Sequence, residues 1–284
     1  MTIGCILVLY NQESELLTTI LDRISNQVSE VYISDNSSKN QSNLFSNYKN
    51  ITYHFIGSNI GIASAQNLGI NFFLEKRMDY ILFLDQDSIP TSNLVSSLIA
   101  SINLLLKKGI KIGAVGPRPF NREEGVEYRG RIMKGKKITK DITEVNELIS
   151  SSSLIPSENF SSVGMLDDSL FIDGVDHEWC WRASFNLHLR FFIIESVLLS
   201  HMLGEGDRQF LIRKVAIPTP FRTYFQFRNY LKLVKRNYVP IYWKFSNGFK
   251  YIVKYFYFPL MVKPRREYFK MINKGIIDGL KNRK

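Results

Sequence analysis

The chain has 284 residues, 45% of them hydrophobic, and 37 Lys and Arg against 26 Asp and Glu give a formal net charge of +11. That length and composition support a substantial core and exclude a disordered, collagen-like or disulfide-stapled chain. Two cysteines, Cys5 and Cys180, give neither a disulfide framework nor a metal-ligand spacing, and the opening "MTIGCILVLYNQ" has no basic leader, so a reducing cytoplasm is the expected compartment.

In chain order, short apolar runs alternate with amphipathic ones. "IGCILVLY" reads as a buried strand and residues 13–27 as a helix; "VYISDN" and "ITYHFIG" read as strands and "IASAQNLGINFFLEK" as a helix. "YILFLD" follows as a strand, "NLVSSLIASINLLLKK" as a helix and "KIGAVGP" as a strand. This alternation predicts an α/β fold with a mostly parallel sheet and helices on both faces. Residues 118–147, charged and glycine-containing, read as a hairpin or mobile loop. "ELISSSSLIP" reads as another strand, and "FIDGVDHEWCWRASFNLHL" as a turn into a helix. Beyond about residue 210 the pattern changes to aromatic, Lys/Arg-rich helices, which divides the chain into 1–210 and 211–284.

The charge divides there too. Residues 211–284 hold 18 Lys and Arg against two acids, Glu267 and Asp278, a net +16 that leaves residues 1–210 at −5. A basic tail on an acidic body predicts an anionic partner for the tail.

In open α/β sheets ligands gather at the carboxyl ends of the strands, which singles out Asn11, Asp35, Asn36, Asn59, Asp85 and Asp87. In "YILFLDQDSIP" an apolar strand stops at two carboxylates one residue apart. Unaided, two charges about 4 Å apart repel by roughly 4 kcal/mol near a protein surface. A shared Mg2+ or Mn2+, which favours oxygen ligands, removes the conflict. The alternative is a solvated loop pair, which the long apolar lead-in disfavours. Haloacid-dehalogenase-type phosphatases spell a similar D-x-D-x-T, but at the end of the first strand and with Thr or Val where Ile89 stands here.

In "SDNSS", Asp35 can accept the imide N–H of a uracil or thymine, with Asn36 and the serines on ribose or backbone, or it can simply close an Asx turn. In "GSNIGIASAQNLGI", Gly57 and Gly61 allow close backbone approach, and a helix begins near Ala63 whose N-terminus favours an anion; a structural turn is the alternative. Neither G-x-G-x-x-G nor G-K-[ST] is present there, so nicotinamide and P-loop readings have no support.

Taken in order and spacing over roughly residues 3–205, "VLYNQ", "DNSS", "NIGIASAQNLGI", "LFLDQDS" and "FIDGVDHEWCWRA" resemble the family 2 glycosyltransferases, and among them the rhamnosyltransferases of bacterial surface polysaccharide synthesis. The resemblance implies a GT-A catalytic domain over 1–210 and inverting, metal-assisted transfer from a nucleotide-sugar, dTDP-L-rhamnose, to an acceptor hydroxyl. It implies a donor site of Tyr10, Asn11, Asp35, Asn36, Asn59, Gly61, Asn67, Asp85 and Gln86. It places Mg2+ or Mn2+ on Asp85 and Asp87, with His201 of "LLSHMLGEG" as a further ligand or as an ordinary hydrogen-bonded histidine. Inverting transfer needs one base on the acceptor and stabilisation of the departing diphosphate. The base implied in "GVDHEW" is Asp176 first and Glu178 second. The alternatives are an N-cap role for Asp176 or Asp173 and an i,i+4 pair of Glu178 with Arg182. Trp179 and Trp181 point to different faces of that helix, one toward the core and the other free to floor an acceptor sugar.

The tail "RTYFQFRNYLKLVKRNYVPIYWKF" interleaves aromatic and basic residues without any nucleic-acid-binding signature, and its Arg228-Asn229 also resembles the rhamnosyltransferase branch. It suits an interfacial helix at anionic lipid, beside a lipid-linked saccharide acceptor at the inner face of a cell membrane; packing on the first domain with a solvated basic face is the alternative. "KYIVKYFYFPLMVK" is the most membrane-like segment, but Lys254 and Pro259 interrupt it and it falls short of the roughly 20 apolar residues of a span. Two other functions stand beside the transferase. A sugar-phosphate nucleotidyltransferase would need a Gly-rich loop where "YNQESE" stands. A non-catalytic membrane-associated binding protein would not need acids at strand ends.

Overall fold

The first strand, β1 (Ile3–Leu9), is buried on both faces, as a strand in the middle of a helix-covered sheet must be. In the computed structural model it is followed by α1 (Ser14–Ile24), β2 (Glu30–Asp35), β3 (Ile51–Phe55), α2 (Ile62–Glu75), β4 (Tyr80–Asp85), β5 (Ser88–Ile89) and α3 (Leu94–Lys107). Then come β6 (Ile112–Asn121), β7 (Val126–Glu127), β8 (Lys136–Lys137), β9 (Ile142–Val145), β10 (Leu154–Pro156), α4 (Glu158–Val163), α5 (Val175–Leu187) and β11 (Arg190–His201). The chain closes with β12 (Asp207–Phe210), β13 (Arg213–Ala216), α6 (Pro220–Leu233), α7 (Ile241–Met261) and α8 (Arg265–Leu280). The structure describes residues 1–12, 14–121, 126–127, 135–201, 207–210 and 213–281; at 14, 119–121, 126–127, 200–201, 207–210 and 213–216 it describes the backbone alone.

One sheet has the order β3-β2-β1-β4-β10-β6-β11-β9-β8, with β5 on β11 and β7 on β6. β3, β2, β1 and β4 run parallel, as do β6 and β11, while β10 and β9 are antiparallel to their neighbours. Register brings three strand ends level: Leu9 lies opposite Asp35 on one side of β1, and Val8 opposite Asp85 on the other.

Alternation along the strands assigns the two faces. Cys5, Leu7 and Leu9 pack with Leu17, Ile20 and Ile24 of α1 and Leu98 and Ile102 of α3. Ile6 and Phe83 turn to the opposite face, against Ile70 and Phe73 of α2 and Trp179 of α5. The α/β architecture with helices on both faces is therefore the one the sequence predicts.

Two expectations change in detail. "ELISSSSLIP" yields only the three-residue β10, because Ser150–Ser153 turns: the Ser153 N–H and hydroxyl both donate to the Ser150 carbonyl, at 2.9 and 2.8 Å, and Ser152 sits at φ +58°. Serine side chains that bond nearby backbone compete with the strand ladder. In 118–147, β6 runs on to Asn121 and pairs with β7, and a hairpin forms farther along, between β8 and β9. The expected division after residue 210 falls inside the antiparallel β12–β13 pair. The helices begin only at Pro220, where the Thr219 hydroxyl accepts the Arg222 N–H and proline takes the first turn. α6–α8 have their own small core of Phe227, Phe258, Val262, Tyr268 and Ile272, yet Leu233 of α6 belongs to the core beneath the sheet.

Candidate active site

The residues expected at the strand ends fall into two groups: those open to the cleft and those committed to holding backbone. Tyr10 is half exposed, the Asn11 side chain is exposed at φ +50°, and Asp85 and Asp87 are half-buried. Asn59 is exposed too, although its Oδ1 accepts the Gly61 N–H at 3.0 Å in an Asx turn.

Gln86 belongs to the second group. Its Oε1 accepts the Tyr10 N–H at 2.7 Å and its Nε2 donates to the Tyr10 carbonyl at 3.3 Å, so the side chain prolongs the β1–β4 pairing. Asn67 is likewise occupied, its amide closing a two-bond ring with the Leu166 backbone at 2.9 and 3.1 Å. Both side chains hold main chain in this structure.

Asp35 closes an Asx turn. The residue is wholly buried, its Oδ1 accepts the Ser37 N–H at 2.8 Å and its Oδ2 the Tyr53 hydroxyl at 2.7 Å. Burial, with Asp35 beside it, pushes the Tyr53 phenol up to about 12, so it stays a donor. As placed, the Asp35 carboxylate faces the interior, and contact with a base would require this turn to open. Asn36 is also buried, its Nδ2 reaching the Gly61 carbonyl at 3.3 Å while its Oδ1 has no hydrogen-bond partner among the described residues.

Gly61 does permit a close approach, but of protein. At φ +86°, a Cβ there would lie 2.6 Å from the Phe171 ring. The Phe171 carbonyl accepts the Ile62 N–H at 2.8 Å and the Ala63 N–H at 3.4 Å. The start of α2 is thus capped by the loop before α5, and the expected anion at these two N–H groups is replaced by a carbonyl.

The acid pair at the end of β4 is linked to α5 through serines. Ser88 Oγ lies 3.3 Å from Asp87 Oδ1 and 2.9 Å from Ser151 Oγ, both serines being buried. The neighbouring Ser150 N–H donates to Asp176 Oδ2 at 3.3 Å. Ser152 N–H in turn donates to the Phe83 carbonyl at 2.7 Å, anchoring the turn on β4. The serine run therefore ties the D-x-D strand end to the first turn of α5. Sequence reasoning missed it; the available signal was four consecutive hydroxyl residues between two apolar runs, unsuited to a strand buried on both faces.

At α5 the two candidate bases separate. The helix is capped by Gly174 at φ +88° with no side-chain cap, so neither Asp173 nor Asp176 is its N-cap. Asp176 is half-buried, and among the described residues its carboxylate accepts the main-chain N–H groups of Ser150 and His177. Glu178 is 1% exposed and held by Arg182 at 2.9 Å, Arg236 at 3.1 Å and the Tyr238 hydroxyl at 2.6 Å. Glu178 thus forms the expected i,i+4 pair with Arg182 and is enclosed by donors. Trp179 and Trp181 are both buried, with indole N–H bonds to the Gly164 carbonyl and Glu147, so neither floors an acceptor site.

The loop entering α5 is gripped by α6. Asn229, 2% exposed, donates from Nδ2 to the carbonyls of Leu170, Ile172 and Asp173 at 2.6–2.9 Å. Arg228 donates to the Ser169 and Leu170 carbonyls and to Asn229 Oδ1. Arg222 pairs with Asp173, and Arg236 with Asp167. Phe171 and Asp173 adopt φ of +65° and +64° within this grip, a conformation that costs about 1–2 kcal/mol per non-glycine residue and needs such support.

The donor set at the end of β4 suits a hard divalent cation: two carboxylates one residue apart, with the His201 backbone paired to Ser88 beside them. The His201 side chain lies outside the described residues. Among those described, no group of three His, Cys, Asp or Glu converges as a metal site. A cavity of about 720 Å³ at the opposite edge, between α1 and α3, is lined by Ile3, Asn26, Val95 and Asn103 and presents no acidic or basic side chain.

Residues 5–154 match the family model for Glycosyl transferase family 2. The chain belongs to this family. It is a glycosyltransferase, and family membership decides against the nucleotidyltransferase and the non-catalytic binding protein. Among similar proteins, the dTDP-rhamnosyl transferase RfbF of Shigella flexneri is 29% identical over 248 residues, covering 84% of this chain and 82% of its own. The low-salt glycan biosynthesis hexosyltransferase Agl10 of Haloferax volcanii is 24% identical over 196 residues, 64% of this chain and 61% of its own. Two solved structures share the fold. GalNAc-T7, crystallised with UDP, GalNAc and Mn2+, has a TM-score of 0.60 at 15% identity; the match covers 96% of this chain and 55% of that one. S. aureus TarS 1–349 with UDP-GlcNAc has a TM-score of 0.57 at 14% identity, covering 98% and 81%. The family match ends at Leu154, so α5 with Asp176 lies beyond it.

Proposed function

We propose that this glycosyltransferase moves L-rhamnose from dTDP-L-rhamnose, with inversion, to a hydroxyl of a lipid-linked saccharide in bacterial surface polysaccharide or O-antigen synthesis. The likeness to the dTDP-rhamnosyl transferase RfbF over most of both chains supports the donor. The observation that carries the reaction is the serine run, which brings Asp87 and Asp176 into one hydrogen-bonded assembly.

In this reading Asp176 receives the acceptor hydroxyl proton as that oxygen attacks the anomeric carbon, and the bond from that carbon to the donor phosphate oxygen breaks. The proton rests on the Asp176 carboxylate, which the Ser150 and His177 N–H groups hold in place. Asp85 and Asp87 would hold Mg2+ or Mn2+, with His201 as a further ligand, and the bound cation supplies positive charge for the departing diphosphate. The Mn2+ in the UDP complex of GalNAc-T7 supports that assignment. Tyr10, Asn11 and Asn59 are exposed near the strand ends and available to the nucleotide.

Incubating the protein with dTDP-L-rhamnose and a lipid-linked saccharide tests the proposal. Metal-dependent release of dTDP with product formation is expected. Equal turnover after chelation, or in Asp87→Ala, would remove the metal role, and turnover only of another nucleotide-sugar would remove rhamnose.

A further inference from the structure

We infer that α7 is an in-plane membrane-binding helix whose outer stripe enters the acyl boundary of an anionic bilayer. Ile241, Phe245, Phe249, Ile252, Phe256 and Leu260 recur every three or four residues along this 21-residue helix and are all exposed, Phe245 by 77% and Phe249 by 70%. Side chains at that spacing share one face. An exposed aromatic and aliphatic stripe running the length of a helix of about 30 Å marks an interaction surface.

The helix lies against the body on its other side. Phe258 is buried in the α6–α8 core, and Tyr251 stacks near Phe227 and Tyr230. Lys254, the charge that interrupts the apolar run in sequence, points inward to Gln226 Oε1 at 3.2 Å and so leaves the stripe uncharged. Beside the stripe, and sharing Ile252 and Phe256 with it, a groove of about 390 Å³ is lined by Tyr230, Tyr251, Tyr255 and Ile276. No helix among the described residues is long and apolar enough to cross a membrane, and one apolar stripe on an otherwise packed helix fits the interface plane.

Charge selects the occupant. Exposed Lys250 lies next to Phe249, and the stripe ends at Lys263, Arg265 and Arg266, with Lys270 one turn into α8. Two copies of this face would bring these cations together, whereas an anionic headgroup layer neutralises them. The N-terminal turn of α7 also touches the catalytic side, since Trp243 packs edge-on against Trp181 of α5 at 5.0 Å. A membrane bound along α7 would thus lie beside the base helix, within reach of a lipid-linked acceptor.

The inference does not require the glycosyl-transfer reading, and its test uses neither donor nor acceptor. The full chain is sedimented with vesicles of phosphatidylcholine alone and with phosphatidylglycerol added. Binding to the anionic vesicles only, weakened by salt, is expected. The pair Phe245→Glu/Phe249→Glu should lower partitioning by about tenfold or more at an unchanged melting temperature, because both side chains are exposed. Lys250→Glu/Arg265→Glu/Arg266→Glu should remove the preference for phosphatidylglycerol, and Leu106→Glu, exposed on α3, should bind normally. Wild-type binding by the Phe pair would overturn the inference. So would a wild-type dimer that ignores vesicles and that the Phe pair disperses, since a second copy would then cover the stripe.

Discussion

The hydroxyls of Ser88 and Ser151 meet 2.9 Å apart, joining the residue after the acid pair to the turn that holds Asp176. Removing either hydroxyl breaks this buried hydrogen bond, at a cost of about 1–3 kcal/mol. Ser88→Ala and Ser151→Ala should each destabilise by about that amount, and the double variant by less than their sum. A urea-unfolding double-mutant cycle checks this, and a coupling of about 0.5 kcal/mol or more is expected. Additive effects would mean that the hydroxyls act separately.

Asn229 carries the loop before α5 on three carbonyl bonds. Asn229→Ala should lower stability by about 3 kcal/mol and reduce kcat while the donor Kd stays near wild type, because α5 and not the strand ends loses support. Asn229→Asp should be at least as damaging, since a carboxylate would face the same three carbonyl oxygens. Denaturant unfolding and donor titration separate the two effects.

Ser152 combines φ +58° with a buried hydroxyl that has no hydrogen-bond partner among the described residues, while its backbone N–H is well bonded to Phe83. Ser152→Gly relieves the backbone cost and removes the orphaned oxygen, keeping the main-chain bond. A gain of about 1 kcal/mol is expected, read as a rise of roughly 2 °C in Tm. A lower Tm would mean that the hydroxyl contributes to folding.

Acid should loosen the hold of the segment after α6 on the loop that enters α5. Burial alone would raise the Asp167 carboxyl, but hydrogen bonds from Arg236 and Ser169 outweigh it and hold the group below the usual carboxylate range. A depressed folded pKa gives stability that is complete above the unfolded value, about 4, and lost as pH falls through the folded one. Asp167→Asn should therefore be less stable at neutral pH and should approach wild type below about pH 4. Unfolding curves taken across that range check the convergence, which a constant gap between the two proteins would contradict.

Much of the fold was legible because its signals are local. Buried strands read as apolar runs ending at acids, and α1 carries Leu17, Ile20, Leu21 and Ile24 at helical spacing. The site was legible only as a set of strand-end positions. Whether a polar side chain there meets a ligand or a main chain depends on partners far along the sequence. Gln86 bonds to Tyr10, 76 residues away, and Asn67 to Leu166, 99 away. Part of the basic tail is occupied within the chain for the same reason. Arg222, Arg228 and Arg236, which look like cations awaiting an external anion, hold Asp173, the Ser169 and Leu170 carbonyls, and Asp167 with Glu178. The Lys and Arg beside the α7 stripe remain turned outward.

The most direct measurement is single-turnover transfer from dTDP-L-rhamnose by Asp176→Asn, with donor affinity determined on the same sample. The account predicts that the rate falls by about 10²–10⁴-fold, the usual contribution of a general base, while donor affinity stays at the wild-type value. Transfer at the wild-type rate would contradict it and move the base to another residue.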